Sequence, residues 1–214
     1  MKTLPLDVTE TSVDLAFNPA ISLGGVLVVD WSGPGTQGDY IDIVPRGYTL
    51  TSGEKSYAYT SGGNPLELAL PGEPGKYDVR YVLQSADGRT LLKTVPLTLN
   101  DIDFALAPSK ASGISGETIS VNWTGPGNDG DYVDIVPRGY KQTSGEKTYT
   151  YIKADNPLTI RLPGAAGDYD LRYVFASSTG RFVKAVRPIR VTPATVTLDV
   201  PSSVTAGVNF DVSW

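Results

Sequence analysis

The stretch Gly38–Tyr48 reads GDYIDIVPRGY, and it recurs 92 residues later, at Gly130–Tyr140, as GDYVDIVPRGY. An ungapped comparison of 31–96 with 123–188 at this offset gives 37 identities in 66 positions, and the 12 tyrosines of the chain fall into six pairs. A unit of this length is a usual size for an independently folding domain, and it is too long for a solenoid repeat that depends on its neighbours. The sequence therefore predicts a tandem duplication of one domain.

Short segments of alternating or β-branched residues, separated by Gly, Pro, Asn and Ser clusters, are typical of β-strands. We predict seven strands in the first repeat, each with an equivalent in the second, near 12–17, 26–31, 39–44, 54–60, 65–70, 76–84 and 89–98. No segment has the periodicity of a helix. The pattern indicates an all-β chain of two tandem seven-stranded β-sandwiches of the immunoglobulin (Ig) or fibronectin type III kind.

The domains predicted from the repeat are 1–100, 101–194 and a partial third repeat at 195–214. The last segment matches 103–123 with one deletion, so it corresponds to the first two strands of a third sandwich. Two strands cannot bury their apolar faces alone. We therefore expect 195–214 to be poorly ordered or to pair with an exposed sheet edge of a neighbouring chain. We expect the partners of the protein to include other domains of the same longer chain.

The composition excludes most of the common catalytic chemistry. The chain has no cysteine and no histidine, which removes disulfides, thiolate metal sites and nucleophile systems that need imidazole. The net charge is -5 with no basic stripe, and no apolar run is long enough to span a bilayer. We expect no enzyme activity, no nucleic-acid partner and no insertion into a membrane.

Strand alternation predicts that Ile41 and Ile43 of the third strand, and the row Tyr77, Val79 and Tyr81 of the sixth, face the core. It also assigns structural roles to two pairs of charged residues. The third and sixth strands are neighbours in this topology, so Asp42 faces Arg80, and Asp134 faces Arg172, on the outer side of the sheet. Such exposed pairs contribute about 0.2–1 kcal/mol each.

Four aromatic residues are expected to stabilise the ends of the sandwiches. Tyr77 and Tyr169 follow Pro-Gly turns, as does the tyrosine that bonds its hydroxyl back to the preceding connection in such folds. Trp31 and Trp123 end the second strand beside Gly-Pro-Gly, where an indole covers the core while its N–H reaches a loop carbonyl. Stacking of these tryptophans on a sugar is the alternative.

The segments WTGP at 123–126, GDYVDIVP at 130–137, YTY at 149–151 and GDYDLRYV at 167–174 resemble bacterial Ig-like modules. Those modules carry Gly-Asp-(Trp/Tyr)-Ile and Pro-Gly-x-Tyr-x-x-Arg-Tyr signatures. They occur in tandem in von Willebrand factor A domain-containing proteins, and related sequences occur in SKICH domains and at the front of purple acid phosphatases. The resemblance covers both repeats and implies a spacer or accessory module of a periplasmic, cell-surface or secreted protein. It transfers neither parent activity, because the chain lacks the Asp-x-Ser-x-Ser motif and all histidines.

Calcium is the one inorganic partner that the side chains suggest, because carboxylates and carbonyls are the ligands of a hard cation. One candidate is the acidic loop with Asp129 and Asp131, whose first carboxylate has no counterpart in the first repeat. The other is the linker with Asp101 and Asp103. The alternative is that the Asn, Asp and Gly residues of these segments are present because turns favour them, and that they bind no metal.

The loops 45–55 and 137–147 present the same polar and aromatic residues in both repeats, namely Arg46, Tyr48, Lys55, Arg138, Tyr140 and Lys147. A repeated patch gains avidity for an extended ligand such as a surface glycan or a fibrous protein. The alternative is that a recent duplication preserved the loops without a binding role. We predict a non-enzymatic spacer, stalk or adhesion-type module of a larger exported bacterial protein, with a carbohydrate- or protein-binding module as the runner-up.

Overall fold

The computed structural model describes residues 11–54, 56–146, 148–153 and 155–213, and within these ranges the regular structure is sixteen β-strands and one turn of 3-10 helix at Thr60–Gly62. None of the described segments is a helix long and apolar enough to cross a membrane. The strands divide into two sets of eight, which are called repeat 1 and repeat 2 below.

Repeat 1 is a sandwich of a three-stranded and a five-stranded sheet. The first has the strand order β1-β3-β6 and the second β2-β8-β7-β4-β5. All neighbours are antiparallel except β2 and β8, which run parallel. The strands are β1 (Asp14–Ala16), β2 (Ala20–Ser22), β3 (Val26–Ser32), β4 (Tyr40–Pro45), β5 (Ser56–Tyr59), β6 (Leu66–Ala69), β7 (Gly75–Ser85) and β8 (Gly88–Asn100).

Repeat 2 has the same topology, with sheets in the orders β14-β11-β9 and β10-β16-β15-β12-β13. Two facing sheets of this kind make each repeat an Ig-like β-sandwich. Its strands are β9 (Ala105–Pro108), β10 (Ser112–Ile114), β11 (Thr118–Thr124), β12 (Tyr132–Pro137), β13 (Thr148–Tyr151), β14 (Leu158–Arg161), β15 (Gly167–Ser177) and β16 (Gly180–Thr192).

The all-β prediction is confirmed, but each repeat has eight strands where seven were predicted. The additional strands are β2 and β10, which have three residues each. They pair with β8 and β16 far along the chain, Ala20 lying opposite Thr98 and Ser112 opposite Arg190. A three-residue segment is too short for alternation to mark it, so its partner across the sheet defines it as a strand.

Each sandwich has its own buried core, and the faces follow the predicted alternation. In repeat 1, Ile41 and Ile43 of β4 and Val79 and Tyr81 of β7 belong to the core cluster. Phe104, just before β9, packs against the cores of both repeats. The two sandwiches therefore share an apolar contact where they meet.

The residues after repeat 2 contribute little regular structure. A single antiparallel bridge joins Asp199 to Ser213, with N···O distances of 2.9 and 3.1 Å. It joins the two segments in which the sequence predicts the first strands of a third repeat. The apolar side chains of this segment, from Val196 to Val212, are exposed, because no sheet within the described part of the chain packs against them.

Candidate functional site

The predicted pairing of Asp42 with Arg80 is present, but it is not exposed. The two residues are direct partners across β4 and β7. Arg80 donates from Nε and Nη2 to the two carboxylate oxygens at 2.9 and 2.6 Å, and both residues are at most 1% exposed. Arg172 and Asp134 repeat this geometry with the same distances. The expectation of an exposed pair is therefore wrong, because the loop after β4 folds back over the sheet.

The described part of that loop, 46–54, with its equivalent 138–146, is called the covering loop. The remaining nitrogen of the Arg80 guanidinium, Nη1, donates to the carbonyl oxygens of Tyr48 and Leu50 at 3.0 Å each. The Tyr48 ring lies 5.5 Å from the guanidinium carbon. In repeat 2, Arg172 donates to the Tyr140 carbonyl at 3.0 Å. The buried ion pair thus anchors the covering loop, and removing one partner of such a pair typically costs about 3–5 kcal/mol.

The loop residues predicted to bind a ligand are largely engaged within the protein. Arg46 lies 3.3 Å from the Asp78 carboxylate and donates to the carbonyls of Tyr77 and Leu97 at 3.0 and 3.2 Å. Arg138 lies 3.5 Å from Asp170.

The hydroxyls of Tyr48 and Tyr140 donate to the carbonyls of Ser52 and Ser144 at 2.8 Å. These contacts shape the covering loop and use the single hydrogen-bond donor of each hydroxyl. Lys55 and Lys147 lie outside the described residues.

A cavity lies beside the covering loop in each repeat. In repeat 1 it is lined by Tyr48, Glu54 and Tyr77, and it is bounded by Thr179 and Phe182 of repeat 2. The equivalent cavity of repeat 2 is lined by Tyr140, Glu146 and Tyr169, among others. Among the described residues, Glu54 and Glu146 each have a buried Oε2 without a hydrogen-bond partner. The two cavities differ mainly in the wall that the neighbouring repeat supplies.

Pairs of exposed tyrosines, which were not among the ligand-binding residues predicted from the sequence, occupy the edge strands β5 and β13. Tyr57 and Tyr59 are each 48% exposed, and Tyr149 and Tyr151 are 49% and 46% exposed. Within each pair the ring centroids are 5.5 Å apart and the rings meet edge to face. The alternation Tyr-x-Tyr on a strand was the available signal, but only the position of that strand at the sheet edge shows that about half of each ring is exposed.

A buried tyrosine supports each pair. Tyr40 packs edge-on against both Tyr57 and Tyr59, and its hydroxyl donates to the Thr51 carbonyl at 2.8 Å. Burial raises the pKa of Tyr40 to about 12, and the nearby Glu54 carboxylate adds to the shift. Burial and then Glu146 raise the pKa of Tyr132 to about 12 in the same way. Both hydroxyls therefore remain protonated donors at neutral pH.

The aromatic residues assigned to the sandwich ends have the predicted contacts. Tyr77 donates its hydroxyl to the Glu73 carbonyl at 3.0 Å, and Tyr169 donates to Ala165 at 2.9 Å. The indole nitrogen of Trp31 donates to Gly63 at 2.9 Å, while the ring packs against the core. Trp123 donates to the Asp155 carbonyl at 3.0 Å. These indoles cover the cores rather than standing free.

The structure does not gather the acidic residues considered for calcium. Among the described residues, no group of three or more acids is arranged to hold a metal ion. The buried Asp131 carboxylate accepts hydrogen bonds from Tyr173, Asn128 and Ala176, and Asp129 is exposed.

In repeat 1, Asp39 has the position of Asp131 and accepts from Thr36, Tyr81 and Gln84. Burial raises the pKa of Asp39, but these hydrogen bonds outweigh it and lower the pKa overall. Burial prevails in Asp131, whose pKa is raised. In both repeats the hydrogen bonds of this aspartate close the turn that precedes β4 or β12.

The linker acids lie at the boundary between the repeats. Asp101 accepts a hydrogen bond from the next amide, that of Ile102, at 3.0 Å. Asp103 lines a cavity between the two sandwiches together with Gly24 and Pro126. Ile102, between these acids, packs against the core of repeat 1. The apolar residues of the linker, rather than its acids, therefore make the contact with the sandwich.

The turn Ser177–Gly180 of repeat 2, which joins β15 to β16, docks directly on repeat 1 and is called the junction turn. Ser178 Oγ donates to the Leu70 carbonyl at 3.0 Å, and the Gly72 amide donates to Thr179 Oγ1 at 3.0 Å. A Cβ atom added to Gly72 would overlap the Phe182 ring. The Pro126 ring packs equally closely on Gly24. Hydrogen bonds and close packing thus join the two sandwiches.

Comparison with known proteins does not reveal a family. A scan against protein-family models gave no match, and a search of curated proteins also gave none. Among solved structures, the chain is similar to the extracellular domains 3–5 of Drosophila OTK, with 14% identity and a TM-score of 0.26. That match covers 85% of this chain and 62% of the OTK chain. Murine CEACAM1b matches with 12% identity and a TM-score of 0.28, over 86% of this chain and all of its own.

Proposed function

We propose that the chain is a non-enzymatic spacer or adhesion-type segment of an exported protein, in which two Ig-like sandwiches are held at a set angle. The observation that carries this proposal is the junction. Ser178 and Thr179 of repeat 2 bond to the main chain of repeat 1, and the Phe182 ring is seated on Gly72. Linked sandwiches without such contacts move freely relative to each other.

The linker supports the same conclusion. Only 101–104 separate β8 from β9. Ile102 and Phe104 point into apolar surroundings, and Phe104 is shared by the two cores. Bending at the junction would expose these side chains to water, which costs about 25 cal/mol for each Å² of apolar surface. A short linker with buried side chains resists bending far more than a flexible tether does.

The export of the protein, and its use in a bacterial chain with von Willebrand factor A domains, are parts of the proposal that rest on the sequence resemblance. The engagement of Arg46, Tyr48 and their equivalents in internal contacts supports a structural role for the covering loops. A spacer needs stiffness and exposed faces, not convergent reactive groups.

The test measures the angle between the repeats. The chain has no cysteine, so Glu67→Cys with Thr159→Cys places two spin labels on exposed, equivalent positions of β6 and β14. Pulsed electron–electron double resonance should give one narrow distance distribution. A broad distribution, like that of two freely linked domains, would contradict the proposal.

A second candidate function, carbohydrate binding, is favoured by the exposed tyrosine pairs of β5 and β13. The apolar face of a sugar ring packs well on an aromatic ring, and two equivalent platforms in one chain give avidity for a polymer. Tyr59→Ser combined with Tyr151→Ser should abolish retention on a glycan array. Val28→Ser, at a similarly exposed apolar residue of the other sheet, is the matched control. No specific retention of the unaltered chain would reject this candidate.

A further inference from the structure

The surface of repeat 1 that receives the junction turn has an open equivalent on repeat 2. The receiving surface consists of Gly24, the Leu70 carbonyl and Gly72, and it is called the socket. Its equivalents are Gly116, Leu162 and Gly164, which have the same residue types. Gly164 has no atom within contact distance of an added Cβ, whereas Gly72 is covered by Phe182. Repeat 2 therefore presents a socket that is not occupied within the described chain.

The element that enters a socket differs between the repeats. In repeat 2 the junction turn contributes Ser178 and Thr179 to the contact, and the strand that follows it, β16, contributes Phe182. Repeat 1 has Ala86, Asp87 and Thr90 at the equivalent positions of its own β7–β8 turn. Ala86 has no hydroxyl to donate to a carbonyl, and Thr90 has no ring to cover a glycine. Repeat 1 thus carries a socket without a matching turn, and repeat 2 carries both.

An aromatic cluster behind the junction turn shows the same asymmetry. Phe104, Phe175 and Phe182 lie together, and the Lys184 ammonium is 5.4–5.8 Å from all three ring centroids. Phe175 and Phe182 are partners across β15 and β16, where repeat 1 pairs Leu83 with Thr90. The rings support the turn that docks, so both the contact and its support are specific to repeat 2.

Charge also distinguishes the open socket. Ala69 and Asp129 line one cavity at the existing junction. Arg161 replaces Ala69 in repeat 2, and its Nε donates to the Gly116 carbonyl at 3.0 Å, at the rim of the open socket. A further repeat of the repeat 2 type, docked in the same way, would bring the equivalent of its Asp129, in the loop before β12, toward this guanidinium. Repeat 1 has the uncharged Gln37 at that position.

We propose that the socket of repeat 2 binds another Ig-like repeat of the repeat 2 type, recognised by a Ser-Thr turn, a phenylalanine four residues after the serine, and a carboxylate that faces Arg161. Assembly is therefore directional, with each incoming repeat selected by its turn. This inference rests on the proposed spacer function and specifies its partner.

The test duplicates repeat 2 within the full chain, so that 1–192 is followed directly by 101–214. Thr159→Cys in both copies reports on the new junction. We expect a distance distribution as narrow as that between positions 67 and 159 in the unduplicated chain. A narrow native junction with a broad new one would overturn this inference alone, whereas a broad native junction would overturn the proposed function.

Two variants establish whether the named residues produce the effect. Ser178→Ala, Thr179→Asp and Phe182→Thr in the second copy give it the turn of repeat 1, and they should broaden the distribution at least twofold. Gly164→Val in the first copy closes the socket while both docking turns stay unaltered, and it should have the same effect. In the unduplicated chain Gly164→Val should leave the junction unchanged, while Gly72→Val should loosen it. Equal widths in all duplicated chains would refute recognition by the turn.

Discussion

The β7–β8 turn of repeat 1 has Ala86-Asp87 as its central residues. The equivalent turn of repeat 2 has Ser178-Thr179 there and docks on the neighbouring repeat. Elsewhere the two repeats agree in sheet order, in the buried Arg–Asp pair and in the edge tyrosines. The comparison separates two kinds of residue in duplicated domains. The residues of the buried ion pair and of the edge pairs are the same in both copies, whereas the residues of the β7–β8 turn and its equivalent differ, and only the turn with a neighbour beside it has the docking residues.

The largest effect is expected at the buried Arg–Asp pair. Arg80→Met and Arg172→Met each leave a buried carboxylate without a partner and release the covering loop, so each should destabilise its own repeat by about 3–5 kcal/mol. Denaturant unfolding measures this. Asp42→Asn combined with Arg80→Met is the control, and it should recover part of the loss because no uncompensated charge remains. A markedly larger loss of stability in one repeat would show that the two buried Arg–Asp pairs are not energetically equivalent.

Alkaline pH provides a test that needs no mutation. The pKa of Tyr40, Tyr81 and Tyr132 is raised by burial to about 12, above the ordinary value near 10. The stability that their neutral hydroxyls contribute is fully present below about pH 10. As the pH rises from about 10 to about 12, each of these tyrosines should lower the free energy of unfolding by about 1.4 kcal/mol for each pH unit.

Tyrosinate absorbance, followed together with circular dichroism, measures this transition. Because both repeats contain equivalent buried tyrosines, they should unfold in the same pH window. Ionisation of these residues near pH 10 without unfolding would show that they are not buried.

A smaller effect is expected from exchanging one residue between the turns. Phe182→Thr removes a partly buried ring from the junction and should lower the stability of repeat 2 by about 1 kcal/mol. Thr90→Phe in repeat 1 places a ring at an exposed position without a socket beside it, and it should be nearly neutral. Thermal unfolding of the two variants compares them. An equal loss in both would show that the difference between the turns has no structural role.

The smallest effect is expected at the tyrosines after the Pro-Gly turns. Tyr77→Phe and Tyr169→Phe each remove one partly exposed hydrogen bond, to Glu73 and Ala165, and each should cost about 0.5 kcal/mol. Chemical denaturation of the single variants is the measurement. A loss of stability several times larger in one repeat would indicate that its turn has a further structural role, such as contact with the neighbouring repeat.

Local patterns were sufficient to predict the sandwich and several contacts. The alternation in β4 and β7 placed Ile41 and Val79 in the core and set Asp42 opposite Arg80, because side chains on a strand alternate between faces. The same reasoning failed for the environment of that pair. Nothing in strand periodicity indicates that the loop after β4 will fold back and cover the outer face of the sheet.

The amino-acid sequence alone indicates the duplication and the order and approximate bounds of seven of the eight strands in each repeat. It also excludes chemistry that depends on histidine or cysteine. Only the folded chain shows that the Arg–Asp pairs are buried and that β2 and β10 are strands. It also shows that the tyrosine pairs are exposed and that Ser178 and Phe182 dock on repeat 1. Each of these depends on groups that lie tens of residues apart in sequence and meet only when the sheets close. Periodicity reports which face a side chain takes, whereas only packing shows what covers that face.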